Sequence, residues 1–472
     1  MEGFSHVDRS TSPPTLVVPR AYNAAQDLLE RRIADGDGPD VAVIDRDGAH
    51  TYAAVHERAQ RAGQALAGLG IGLEDRVMMA MLDTVDFPAV FLGAIRLGAV
   101  PVPVNVLWTA DDLAYALRDS RAKALVISAE LLERLGPALE GQPFLRHVVV
   151  AGGAPGEHPR LDDLLAQASP RLDPAPTCAD DIAFWLYSSG STGTPKGVMH
   201  CHRHLMATAV LYGQGVLGIA KDDVVFSAAK LFFAYGLGNA MTFPFSVGAT
   251  AVLRAERPTP ALVMEVLRAE RPTIYYGVPT LYAAILADPA NTRERGAERL
   301  RRCVSAGEAL PEEVGRRWEE RFGVEILDGL GSTELLHIFL SNRPGDVRYG
   351  ASGRPVPGYD LRIVDEQGRQ AEPGELGELH VRGPSSAFAY WNQRDKTRHT
   401  FRGEWTATGD KYTRDEAGVY TYGGRADDMM KVSGQWVSPF EVESAVGAHP
   451  PAQSEAGEGP DTPRRQHKPD AK

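Results

Sequence analysis

The chain of 472 residues is poor in cysteine, with only Cys178, Cys201 and Cys303 and no C-x-x-C spacing among them. That excludes a disulfide framework and fits a reducing interior. Long uninterrupted apolar runs are missing too. The most apolar segment, Phe87 to Val104, is broken by Arg96 and three prolines, so it does not read as a membrane span. Met1 to Pro14 is polar and lacks the apolar core of a signal peptide. Nor is there an excess of positive charge: the formal charge is −12, which argues against a general nucleic-acid binder. No internal repeat stands out. From Pro450 to Lys472 there is no Ile, Leu, Val, Phe, Met, Trp or Tyr. Such a tail cannot offset its ordering entropy by burial and is expected to be disordered. The remaining balance, 43% apolar and 24% charged, suits a soluble, cytoplasmic protein long enough for two or more domains.

What is present centres on Tyr187-Ser188-Ser189-Gly190-Ser191-Thr192-Gly193-Thr194-Pro195-Lys196-Gly197. The apolar run Ile182 to Leu186 leads into it, and a segment able to form a helix follows from about Cys201. Strand, glycine-rich turn and helix make a layout that points backbone N–H groups at an anion. The hydroxyls of Ser188, Ser189, Ser191, Thr192 and Thr194 add donors, and Lys196 adds a mobile positive charge. This composition suits a polyphosphate. It is not the Walker pattern, because Gly197 follows the lysine where that motif needs Ser or Thr.

Strand-like runs alternate with helical periodicity on both sides of this loop. Strand pairs and runs are expected near Val41 to Thr51, Arg76 to Leu82, Ala122 to Ser128 and Val148 to Val150, with a helix opening at Thr51-Tyr52 and another over Phe87 to Leu97. Further on, Val224 to Ala228, Thr250 to Leu253, Ile274 to Tyr276, Cys303 to Ser305 and Val324 to Leu327 read as strands. This alternation implies α/β architecture with a mainly parallel sheet covered on both faces. From about Gly350 short glycine-bounded strands such as Gly377 to Val381 suggest a smaller β-rich subdomain. Ser305-Ala306-Gly307-Glu308, Asp328 to Glu334 and Thr408-Gly409-Asp410 join the opening loop as glycine-punctuated sites at strand ends, where α/β folds bind ligands. Glu334, among small and hydroxyl residues, has room to reach a magnesium ion. Asp410 is placed to accept from two sugar hydroxyls. His200, His202 and His204 sit at alternate positions, and no cysteine or carboxylate motif completes a metal site around them.

Four motifs in order, YSSGSTGTPKG at 187–197, DGLGSTE at 328–334, TGD at 408–410 and GGRADDMMKVSGQWVSPFEVE at 423–443, resemble the adenylate-forming superfamily of acyl-CoA synthetases, aryl-CoA ligases and luciferases. The resemblance runs from about Ala21 to Ala448. It implies a large adenylation domain of two αβαβα-type layers plus a small β-rich subdomain, over 21–424, after a flexible 1–20. Residues 425–448 would form the hinge and the start of a small C-terminal α+β domain, and 449–472 a disordered polar tail. Within the superfamily, MLDTVDFPAVFLGAIRLGAVPVPVN at 81–105, KLFFAYGLGNAMTFPF at 230–245 and GSTELLHIF at 331–339 are most similar to the benzoate-CoA ligase branch.

The resemblance implies roles residue by residue. Ser188, Ser189, Gly190, Ser191, Thr192, Gly193, Thr194 and Lys196 would hold the β- and γ-phosphates of ATP, with Thr192, Lys196 and Glu334 carrying catalysis and Glu334 binding Mg2+. Gly307, Glu308 and Asp328 would lie along the adenine, with Ser332 and Thr333 beside them, and Asp410 and Arg425 on the ribose. Ala234, Tyr235, Gly331, His337 and Ile338 would line the aryl-acid pocket. There Tyr235 offers a flat apolar face, Gly331 and Ala234 leave room for a ring, and His337 either donates to the substrate or is a satisfied pocket histidine. Phe232 and Phe233 read equally well as core. Asp427 matches a hinge position, and Lys431, Ser433 and Gly434 a coenzyme A tunnel.

The implied reaction joins benzoate or a near relative to coenzyme A, through an acyl-adenylate, with release of pyrophosphate and AMP. Family members continue beyond the hinge to a Gly-Lys motif whose lysine serves adenylation. Here the family pattern stops near Ala448, and the later lysines, Lys468 and Lys472, follow no glycine. The C-terminal domain is therefore expected to be only a remnant, and adenylation by this polypeptide to be strongly impaired. The alternative is a non-catalytic remnant that binds ATP and an aryl acid. Monomer and homodimer remain equally open.

Overall fold

The computed structural model describes residues 3–8, 10–11, 13–154, 156–188 and 194–425, together with the backbone of 430–432 and 435–437. The chain is α/β. Its largest sheet has nine strands. Six of them, Val41–Asp45, Thr250–Val252, Val224–Ser227, Ile274–Gly277, Arg302–Ser305 and Ile326–Gly331, run parallel side by side. Gly48–Thr51 caps one edge antiparallel, and Ile338–Ser341 followed by Arg354–Pro355 caps the other. A second, four-stranded sheet of Val100–Pro103, Arg76–Ala80, Ala124–Ser128 and His147–Ala151 is wholly parallel. Its strands are apolar runs because both faces are covered, and all five residues of Ala124–Ser128 are buried. The β-rich part is a five-stranded antiparallel sheet containing Asp360–Val364, Gly377–Arg382, Trp405–Arg414 and Tyr420–Arg425.

Two local readings are corrected. Between the loop and the helix expected from about Cys201, which starts at His202, lies a strand, Lys196–Cys201. It pairs antiparallel with Ile182–Ser188, Lys196 opposite Ser188. Val198, Met199 and His200 are buried on it, so packing decides for strand where the polar look of the segment did not. The loop is thus carried by a hairpin rather than by a helix N-terminus. Thr408-Gly409-Asp410 is likewise not at a strand end but inside Trp405–Arg414, where the pairing register shifts between Lys411 and Tyr412. Beyond Arg425, Met430–Val432 and Gln435–Val437 pair antiparallel.

The two parallel sheets are linked through one large core. Thr51 caps the helix Tyr52–Gly68 by accepting from the Ala54 amide. That helix packs on Asp86–Leu97, which buries Phe87 and Phe91, each contributing roughly 2–3 kcal/mol of burial. The helices approach at backbone distance: a Cβ on Gly93 would lie 2.4 Å from Ala59 O and 2.9 Å from Gly63 N. Backbone atoms cannot yield as a side chain tip can. Gly93→Ala is therefore expected to destabilise the fold by ~1–3 kcal/mol, the usual cost of overpacking, in denaturant unfolding with an unchanged m-value. A wild-type midpoint would show that the crossing has slack.

Candidate active site

Arg302–Ser305 and Ile326–Gly331 end side by side, with Ser305 opposite Asp328 in register. Across those ends opens a polar cleft of about 1290 Å³, walled on its other side by Thr408, Gly409, Asp410 and Arg425 from the β-rich sheet. Nine of the residues assigned to nucleotide binding from sequence line it together, Ser188, Lys196, Gly307, Glu308, Asp328, Ser332, Thr333, Asp410 and Arg425, joined by Glu334, which was assigned to Mg2+. They come from positions up to 237 apart in the chain, which only the fold brings to one place. Thr194 is exposed and does not line the cleft. Ser189, Gly190, Ser191, Thr192 and Gly193 lie outside the described residues, as do Asp427, Ser433 and Gly434, while Lys431 is in the strand Met430–Val432.

Charge in this cleft is managed by burial and by close pairs. Lys196 Nζ is 3.3 Å from Glu334 Oε1 and donates to the Tyr390 hydroxyl at 2.9 Å, which itself donates to Glu334 Oε1 at 2.8 Å. Asp410 is opposite Arg425 across the strand pair, with Arg425 Nη1 at 3.4 Å. Burial pushes the Asp410 carboxyl up to about 6, and Arg425 opposes that shift. Asp328 is buried more completely, and loss of hydration pushes its carboxyl up to about 8. Its Oδ1 has no hydrogen-bond partner among the described residues. At neutral pH Asp328 is therefore largely an uncharged acid.

The second cavity, about 600 Å³, is apolar and adjoins the first, with Gly307, Gly331, Ser332 and Thr333 in both walls. Ala234, Tyr235, Gly331, His337 and Ile338 all line it. The Tyr235 hydroxyl donates to Gly277 O and Val304 O on the parallel sheet, which holds the ring in place. His337 is a neutral imidazole, its pKa pushed down to about 3 by burial. Its Nε2 faces two carbonyl oxygens, Asn239 Oδ1 at 3.0 Å and Tyr235 O at 3.2 Å, so Nε2 carries the proton and Nδ1 is left as an acceptor. Gly331 lines the cavity and has a second role in the backbone. A Cβ there would meet His337 C and O at 2.8 Å, so its smallness lets the two antiparallel strands pair closely at this point. Phe232 is buried core, whereas Phe233 is 47% exposed at the cavity mouth. No acidic side chain occurs among the described lining residues.

Sequence reasoning missed several residues that build the site. Asp83 is buried, accepts from the Leu231 amide at 3.2 Å and lies 3.9 Å from Lys230 Nζ, anchoring the segment that leads to Tyr235. Asn239 is on a π-helical turn, Gly238–Thr242, that aims it at His337. Tyr390 bridges Lys196, 194 residues away, and Glu334, 56 residues away, and no local pattern announces such a contact. The three histidines are buried structural groups: His200 Nε2 donates to Thr333 O at 2.8 Å, and His202 Nδ1 accepts from the Ala24 amide at 3.1 Å. Among the described residues no group of three or more His, Cys, Asp or Glu is placed to hold a metal.

The raised pKa of Asp328 has a stability signature. Between 3.8 and about 8 the folded chain holds a proton on this group that the unfolded chain has lost, so stability falls as pH rises through that window. Asp328→Asn removes the titration. Its melting temperature relative to wild type is expected to rise progressively with pH across the window and level off above it. A difference independent of pH would contradict the assignment.

Comparison with known proteins agrees with this geometry. Residues 30–391 match the family described as AMP-binding enzyme. The chain is 56% identical over 451 residues to the benzoate–CoA ligase of Thauera aromatica, covering 95% of this chain and 85% of that protein. A solved benzoate CoA ligase from Burkholderia xenovorans LB400 is 49% identical, with a TM-score of 0.85, over 91% of this chain and 84% of that one. An anthranilate CoA ligase solved in complex with anthranoyl-AMP is 41% identical, with a TM-score of 0.89, over 92% and 83%. Polar cleft, adjoining apolar cavity and sequence thus converge, and the chain belongs to the AMP-binding enzyme family.

Proposed function

We propose that this chain is an ATP-dependent aryl-CoA ligase that takes benzoate or a close relative. The observation that carries the reading is the junction of the two cavities at Gly331, Ser332 and Thr333. An aromatic ring seated against Tyr235 and Ile338 would present its carboxylate at the point where the polar cleft begins. The absence of acidic groups from the described lining disfavours an amino acid, whose ammonium would lack a partner. The likeness to benzoate and anthranilate CoA ligases supports the same substrate class.

In the first step a carboxylate oxygen of the aryl acid bonds to the α-phosphorus of ATP. The bridging P–O bond to the β-phosphate breaks, and pyrophosphate leaves with the electron pair. In the second, the sulfur of coenzyme A attacks the acyl carbon, the C–O bond to phosphate breaks, the thiol loses its proton, and AMP leaves. Most of the acceleration available to such a site is positioning and charge neutralisation. Lys196 would face the outer phosphates and Asp410 with Arg425 the ribose. Asp328, uncharged at neutral pH, would sit near the nucleotide without repelling its phosphates. The donor set fits magnesium: Mg2+ favours oxygen ligands, keeps several waters and is commonly held by one carboxylate plus substrate phosphates, here Glu334 beside Ser332 and Thr333. Bound there, the ion supplies charge neutralisation at the phosphates.

The test is AMP formation, at the strongly reduced rate expected from the sequence, that requires both benzoate and coenzyme A, with benzoyl thioester made in equal amount. Ala234→Leu, which narrows the apolar cavity, should raise the KM for benzoate by ~10-fold or more while leaving that for ATP within twofold, as overpacking by a few methylenes implies. AMP formation independent of the aryl acid, or equal turnover of short aliphatic acids, would contradict the proposal.

A further inference from the structure

We infer that Arg402 binds the outer phosphates of ATP, and the pyrophosphate they become, alongside Lys196. This rests on the nucleotide-binding reading of the cleft given above. Among the described residues three Lys or Arg side chains line that cleft: Lys196, Arg402 and Arg425. Two of them are committed to carboxylates. Lys196 Nζ is 3.3 Å from Glu334 Oε1, and Arg425 Nη1 is 3.4 Å from Asp410 Oδ1. Arg402 forms no ion pair among the described residues. Its Nε donates to His399 O at 2.7 Å, and its two Nη groups have no hydrogen-bond partner there. Glu378 lines the same cleft, but its partner is His380, with Oε2 3.4 Å from Nε2. The cleft therefore presents one guanidinium that no adjacent carboxylate cancels.

The fold ties this group to the lysine expected on the outer phosphates. Arg402 is in the short strand Phe401–Arg402, which pairs antiparallel with the start of Trp405–Arg414, Arg402 opposite Trp405. Asp410, expected on the ribose, comes five residues after Trp405 on that strand. The helix Arg394–Thr400 leads directly into Phe401. Thr400 Oγ1 is 3.3 Å from the Tyr390 hydroxyl, which accepts from Lys196 Nζ at 2.9 Å. His399, Thr400 and Arg402 all line the cleft, so the segment that carries the guanidinium is two hydrogen bonds from Lys196. Arginine suits the task. A planar guanidinium offers two N–H groups side by side to two phosphate oxygens, whereas an ammonium offers a point charge. The outer phosphates carry most of the charge of ATP and stay together as pyrophosphate when the bridging P–O bond breaks. Arg402 can engage them without first giving up a carboxylate, which Lys196 and Arg425 cannot.

The experiment is calorimetric titration of the full chain with Mg·ATP and, separately, with AMP, which lacks the two outer phosphates. The variants are Arg402→Ala, Arg402→Lys and Arg398→Ala. Arg398 is an exposed arginine on the adjoining helix that does not line the cleft, so its loss removes the same charge from nearby. We expect Arg402→Ala to raise the Mg·ATP dissociation constant by ~10-fold, the scale of a hydrogen bond to a charged group. AMP affinity and melting temperature should stay at wild-type values. Arg402→Lys, which keeps the charge and loses the fork, should recover part of the loss, and Arg398→Ala should bind both nucleotides as wild type does. Unchanged Mg·ATP binding by Arg402→Ala, an equal loss for AMP, or an equal loss in Arg398→Ala would overturn the inference while leaving the proposed function standing. Failure of the unaltered chain to bind Mg·ATP at all would remove both.

Discussion

One tight turn carries the site. Ile326–Gly331 leaves the parallel sheet, reverses through Ser332 to His337 and returns as Ile338–Ser341 along the same edge. Within six residues it supplies the shared wall of both cavities, the Glu334 carboxylate and the His337 imidazole. Such a reversal is costly to hold. Leu336, buried at 3% exposure, is forced to φ +66°, a conformation that side chains other than glycine rarely adopt. The surroundings fix it in place. His200 donates to Thr333 O, Ala387 N to Glu334 O and the Ser385 hydroxyl to Leu335 O, while the Leu335 amide donates to the Ser332 hydroxyl. Strand hairpin, β-rich sheet and turn are thereby tied to one another at the point where the chemistry is proposed to occur.

From that constraint follows the electrostatic character of the site. The turn is buried over Leu335, Leu336 and His337 and half-buried over Ser332, Thr333 and Glu334, and burial disfavours charge unless a partner is at hand. Where partners are lacking, groups go neutral: His337 as free imidazole and Asp328 as carboxylic acid. Where charge is retained, as in Lys196 with Glu334 and Asp410 with Arg425, it is kept in pairs that face the cleft. The apolar cavity thus meets the polar one without a stranded charge between them.

Much of this could be read from the chain. The parallel strands are short β-branched runs ending in glycine-punctuated motifs, and Gly307, Asp328, Glu334, Asp410 and Arg425 fall in one cleft as their motifs suggest. Ala234, Tyr235, Gly331, His337 and Ile338, expected to line an aryl pocket, likewise converge on one apolar cavity. What failed was whatever depends on long-range packing. Lys196–Cys201 looks like the lead-in to a helix because its polar residues, His200 among them, hide that they are buried between Ile182–Ser188 and Ala389–Tyr390. Tyr390, Asn239 and Asp83 carry no local signature, since each matters through a partner far away in sequence.

The central claim is that the two cavities are one site joined at Gly331 to Thr333. The direct measurement compares the dissociation constants of AMP, of benzoate, and of a non-hydrolysable benzoyl-adenylate analogue in which the two are covalently joined. If the cavities meet as described, the analogue fills both at once and should bind at least ~100-fold more tightly than either fragment, the gain expected when linked groups reach two adjoining subsites. An analogue that binds no more tightly than AMP would show that ring and nucleotide cannot be held together here.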